Sequence, residues 1–166
     1  MDYSTARDKI QDGDIIMVSH SESLFNHITK VFTGKYVHCG IAIWLDGGLW
    51  MAEINNGRNH VVPVSQLVAK GFTVYSYPVE LDRTLVRTAI LESVRISKPY
   101  GYLAAIIIGI NEFFSINMFI HWKKIITCGG YVSAILDECG RVGYSYTVSP
   151  SKLSESLNFM FEVTND

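Results

Sequence analysis

The feature that most constrains this chain is a pair of turn signals set inside β-type sequence. Tyr36–Leu45, YVHCGIAIWL, is rich in β-branched and aromatic residues, the composition of a strand packed in a sheet. Asp46-Gly47-Gly48 follows it, then LWMAEIN (Leu49–Asn55), then Asn56-Gly57, then HVVPVS. Asp-Gly and Asn-Gly steps supply the positive φ of tight hairpin turns, so the flanking segments are expected to lie side by side and antiparallel. Two further strands are predicted, the apolar run IIMVS after Gly13-Asp14 and the alternating FTVYSYPV. FMFEV near the C-terminus reads as a last strand or an extended tail.

Helical periodicity lies on either side of these strands. Residues 1–12 suit a short helix or arm. Residues 20–35 place Leu24, Phe25, Ile28, Val31 and Phe32 at helical spacing behind a polar start, with Gly34 as a stop. Leu81–Lys98 carries Leu85, Val86, Ala89, Ile90, Val94 and Ile96 on one stripe, an amphipathic helix ended by Pro99-Tyr100-Gly101. SQLVAKG is a helical turn or loop, Gly129–Cys139 a further helix, and Ser149-Pro150 opens a short terminal turn. Clustered strands with helices around them predict an α+β fold with a mainly antiparallel sheet. The 166 residues suit one domain, 1–166, and 48% hydrophobic residues can fill its core.

Several function classes are disfavoured. Net charge is −2 and no Lys or Arg run marks a polynucleotide groove, so no nucleic-acid partner is expected. Three cysteines, Cys39, Cys128 and Cys139, are too few for a disulfide framework, and without a CxxC pair no structural zinc is expected. No metal or cofactor is implied. The N-terminus, MDYSTARDKIQDGD, lacks a signal-peptide pattern, which points to a cytoplasmic or phage/host-associated protein. Residues 102–120 are the most apolar stretch, but Asn111, Glu112, Ser115 and Asn117 interrupt it. The stretch is expected to form a core helix with a loop, or an apolar surface for membrane-proximal contact, rather than a span.

TCGGYVSAIL, Thr127–Leu136, sets a cysteine and two glycines before an apolar helical run. Cys128 is either a buried small hydrophobe or a thiolate made nucleophilic by a helix N-terminus. On the first reading Gly129 and Gly130 permit close helix–sheet packing. On the second they let a substrate carbonyl approach, and their N–H groups can hold an oxyanion. Of five histidines, His20 and His27 read as surface groups, His60 follows a turn, and His121 ends the apolar stretch. His38 sits inside a strand and shares a face with Gly40 and Ala42, leaving a hollow for a cysteine or substrate. It is either a satisfied core histidine or a general base. Glu53, on the strand expected next to His38, is either an exposed edge residue or the carboxylate that orients the imidazole. Asn55 is a weaker substitute.

GDIIMVS, YVHCGIAIW, MAEIN and TCGGYVSAIL together resemble the circularly permuted branch of the NlpC-type, papain-like cysteine hydrolases. YiiX/YebB-like proteins and the lecithin:retinol acyltransferase group belong to that branch. The likeness covers about residues 11–155. It implies a papain-like fold, with a mainly antiparallel sheet or small barrel, in which Cys128 is the nucleophile, His38 the base and Glu53 the orienting group. The chain departs from many YiiX-like members, which have Cys-Ser-Glu where it has Cys128-Gly129-Gly130. The expected function is a thiol hydrolase or acyl transferase acting on a peptide, amide or ester, with cell-wall peptide or a lipid-derived molecule as substrate. The alternative is an idle lipid- or partner-binding module on the same fold.

Overall fold

Ile15–Val18 (β1) is buried at every position, because both faces of this strand are covered. It lies third from one edge of a six-stranded antiparallel sheet. The computed structural model describes residues 1–19, 34–55, 58–96, 105–108, 110–111, 127–139 and 148–164. The other strands are β2 (His38–Leu45), β3 (Gly48–Asn55), β4 (Arg58–Pro63), β5 (Phe72–Ser76) and β6 (Asn158–Val163), in the spatial order β4-β3-β2-β1-β5-β6. The sheet is open, with β4 and β6 at its edges, so the small barrel weighed from the sequence does not form. The expected hairpins do. Asp46 and Gly47 both adopt positive φ, which matches the twist of the strands they join. β3 and β4 pair from Asn55↔Arg58 outward, so their connection is two residues long. FMFEV is a paired strand, not a free tail.

One face of the sheet carries α3 (Cys128–Glu138) and α2 (Arg83–Ile96). Tyr131, Val132, Ile135 and Leu136 of α3 and Val86, Ala89 and Ile90 of α2 pack with Cys39, Ile41, Ile43, Ala52 and Ile54. The other face carries α1 (Tyr3–Arg7) and a 3-10 helix (Val64–Lys70), which pack on Ile16, Ala42, Met51 and Val74. Ser149 caps the short α4 (Pro150–Ser154) by accepting from the Lys152 N–H. The architecture is therefore α+β, as the order of elements predicts.

The helix expected over 20–35 falls largely outside the described residues, as does most of 102–120. Within the latter, residues 105–108 and 110–111 are helical. Among the described residues no helix is long and apolar enough to cross a membrane.

Candidate active site

Thr127 starts the site. Its backbone is extended and its hydroxyl accepts from the Gly130 N–H at 3.2 Å, which caps α3 and makes Cys128 the first helical residue. First-turn N–H groups have no partner within a helix and carry its positive end, a favourable setting for a thiolate. Gly129 is glycine for a packing reason. A Cβ there would overlap the Val148 carbonyl oxygen, where the chain returns over the start of the helix. The Gly130 N–H is already used by the cap.

Hairpin register supplies the other groups. Gly40 of β2 lies opposite the position of Glu53 on β3, because Ile41 pairs with Ala52. His38, two residues along β2, is thus the diagonal neighbour of Glu53, within reach of a long side chain. His38 Nε2 and Glu53 Oε2 are 2.6 Å apart. The carboxylate is 5% exposed, so it is not a solvated edge residue. The hollow expected beside His38 is absent. The space that Gly40 leaves is taken by the Met51 side chain and the Ala52 carbonyl, and Ala42 packs in the core on the α1 side.

The Cys128 sulfur lies close enough to His38 and to Cys39 for each to shift its acidity. Neighbouring residues on a strand point to opposite faces. A sulfur touched by both therefore lies beside the strand backbone at the start of β2. With Nε2 engaged by Glu53, Nδ1 is the ring nitrogen left for the sulfur.

These contacts set the charges. The Cys39 thiol donates to Cys128, and the bond and positive charge of His38 add to it. Together they hold Cys128 well below its ordinary value of 9.0 against the effect of burial. Burial opposes a proton on His38, yet bonds and charges from Cys128 and Glu53 outweigh it and raise the imidazole to about 10. Burial pushes Cys39 well above its usual range, and donation to its neighbour pushes it further. Glu53 is desolvated too, but the bond and charge of His38, the charge of His60 and a bond from Asn55 keep it below its ordinary value. These directions favour a thiolate on Cys128 beside a protonated His38, backed by the Glu53 carboxylate.

The structure thus brings Cys128, His38 and Glu53 together, with Gly129 and Gly130 behind the cysteine. Asn55 acts on Glu53 instead of replacing it. Two participants escaped the sequence reading. Cys39 is a donor to the sulfur. His60 pairs directly with Glu53 across β3 and β4, with Nε2 at 3.0 Å from Oε1. The two-residue Asn56-Gly57 turn holds that signal, since counting back from it sets residue 60 opposite residue 53. Among the described residues, no group of three or more His, Cys, Asp or Glu is arranged to hold a metal ion.

No protein-family model matches the chain, and no curated protein matches it. Among solved structures it is similar to the crystal structure of the metalloprotein YiiX (DUF1105) from Escherichia coli O157:H7. Identity is 15% and the TM-score 0.68, over 93% of this chain and 98% of that one. Likeness at that identity is a likeness of fold.

Proposed function

We propose that this protein is a cysteine hydrolase or acyl transferase of the permuted NlpC, papain-like type, acting on an amide, peptide or ester carbonyl. The observation that carries this reading is the 2.6 Å contact of His38 Nε2 with the buried Glu53 carboxylate, on the strands against which a cysteine at the start of a helix packs. That is the nucleophile–base–orienter arrangement in a pre-ionised form. The whole-chain likeness to a YiiX structure supports the fold part of the reading.

In the first step the thiolate attacks the carbonyl carbon, a C–S bond forms, and the carbonyl oxygen takes the negative charge. The backbone N–H groups of Cys128 and Gly129, at the positive end of α3, are the donors for that oxyanion, because the Gly130 N–H is committed to Thr127. The imidazolium of His38 gives its proton to the departing amine or alkoxide, and collapse leaves a thioester on Cys128. Neutral His38 then takes a proton from water or an incoming amine, which attacks the thioester and releases the thiolate. Glu53 stays ionised throughout and holds the ring in place. Cell-wall peptide and lipid-derived acyl groups are the substrate classes proposed, with residues 102–120 as the contact for an apolar or membrane-proximal ligand. A cytoplasmic or phage/host-associated setting fits a thiolate that must stay reduced.

The test is iodoacetamide labelling followed by peptide mass spectrometry, from about pH 5 to about pH 9, in wild type and His38→Ala. Cys128 is expected to label fast below neutrality in wild type and slowly in His38→Ala. If Cys128 labels as an ordinary thiol in both proteins, the catalytic reading fails and a binding module is left.

A further inference from the structure

Glu53 has two carboxylate oxygens, and the chemistry above uses one. The second, Oε1, is taken by His60 Nε2 at 3.0 Å. The other nitrogen of His60 lies 3.2 Å from the Arg58 carbonyl oxygen. The carboxylate oxygen is the nearer of the two acceptors, so a proton on Nε2 can be donated to Oε1. His60 stands directly opposite Glu53 on the edge strand β4, with its side chain 34% exposed. The strand itself is fixed from its other face. Asn59, the preceding residue, is buried and donates through Nδ2 to the Ser93 carbonyl of α2 at 2.9 Å. Ser93 Oγ in turn lies 2.7 Å from the Tyr131 hydroxyl on the cysteine helix. The imidazole at 60 is thus held relative to the helix that carries the sulfur.

A carboxylate fixed through one oxygen can rotate about its terminal bond and exchange the oxygen it presents. A donor on the second oxygen, added to the bond from Asn55, restricts that freedom. We propose that His60 is a positioning residue for the candidate site. It clamps Oε1 of Glu53 so that Oε2 stays on His38, extending the site to Cys128–His38–Glu53–His60 across three adjacent strands and one helix. This rests on the catalytic reading for its purpose, but the clamp itself is a property of the two histidines and the carboxylate. What matters is a donor at position 60 and not its charge. A glutamine, which places an amide N–H near the position of Nε2, should therefore serve.

The experiment uses the full chain as wild type, His60→Ala, His60→Phe and His60→Gln. Phenylalanine keeps ring bulk and strand preference without a donor, so it covers the case in which alanine loosens the edge strand. Two quantities are read. The first is the exchange-protected, downfield proton resonance of the His38 Nε2–H, which reports the His38–Glu53 bond whether or not the cysteine reacts. The second is the rate of Cys128 alkylation near pH 6. Loss or broadening of the resonance is expected in the alanine and phenylalanine variants, with alkylation slowed about tenfold, the change that one pKa unit on the thiol brings. The glutamine variant is expected to keep the resonance and stay within about twofold of wild type. An unchanged resonance in both the alanine and phenylalanine variants overturns the proposal. So does a glutamine variant that loses it as they do. If wild-type Cys128 alkylates as an ordinary thiol, the catalytic reading falls, and the resonance still decides the clamp.

Discussion

Cys39 and Cys128 are both buried, belong to one core cluster and act on each other's charge, yet they are driven apart in acidity. Cys39 lies within a strand in the apolar core, where burial is the largest influence on its sulfur and keeps the proton on it. Cys128 begins a helix, where the local dipole is positive, and its sulfur receives donors from Cys39 and His38. Burial is common to both. The difference comes from what points at each sulfur. Desolvation alone raises a thiol, and only a set of aimed donors reverses it.

The comparison is most directly broken by competition between the two residues. In wild type near pH 6, Cys128 is expected to react with iodoacetamide at least about a hundredfold faster than Cys39, since an ordinary thiol near pKa 8.5 is under one per cent ionised there. Equal rates would mean that the two environments are alike. His38→Ala is the next largest change. It should slow Cys128 about thirtyfold near pH 6 and move its pH profile upward, because the depressed thiol regains its proton once the imidazolium is gone. Cys39 should not respond. Glu53→Gln should slow Cys128 about tenfold under the same conditions, equivalent to about one pKa unit regained by the thiol once no carboxylate holds the imidazolium in place. Cys39→Ser sharpens the comparison with the smallest effect, about twofold, because a hydroxyl still donates to the thiolate. Cys39→Ala should slow labelling about threefold, a thiol being a weak, uncharged donor. A larger loss in Cys39→Ala than in His38→Ala would reverse the order of the two donors.

Much of this site could be read from the chain because hairpin arithmetic is local. Asp46-Gly47 and Asn56-Gly57 set which strand lies beside which, and they place Glu53 near His38 without knowledge of the rest of the fold. The same arithmetic, continued past the second turn, reaches His60. Position along a strand was harder to turn into space. Alternation suggests a hollow at Gly40, yet the neighbouring Met51 fills it, since vacant volume depends on the side chains of the next strand. The glycine at 129 shows a similar limit. Its neighbour Val148 is distant in sequence, and nothing near Cys128 announces that the chain will return there. Nor does anything near Cys128 announce which strands it will meet, which follows from the packing of α3 on β2 and β3.

The hairpin turns carry a consequence for how this protein can change. The three groups that follow the sulfur sit on consecutive strands, and their spacing depends on how many residues each turn contains. Exchanging the turn residues for others that accept positive φ would leave the site assembled. Adding or removing a single residue would not. The shifted strand would carry its functional side chain to the opposite face, together with every core residue that shares its alternation. Turn composition can therefore vary more freely than turn length. Insertions that build new specificity must enter elsewhere, at segments that do not set the register of β2, β3 and β4.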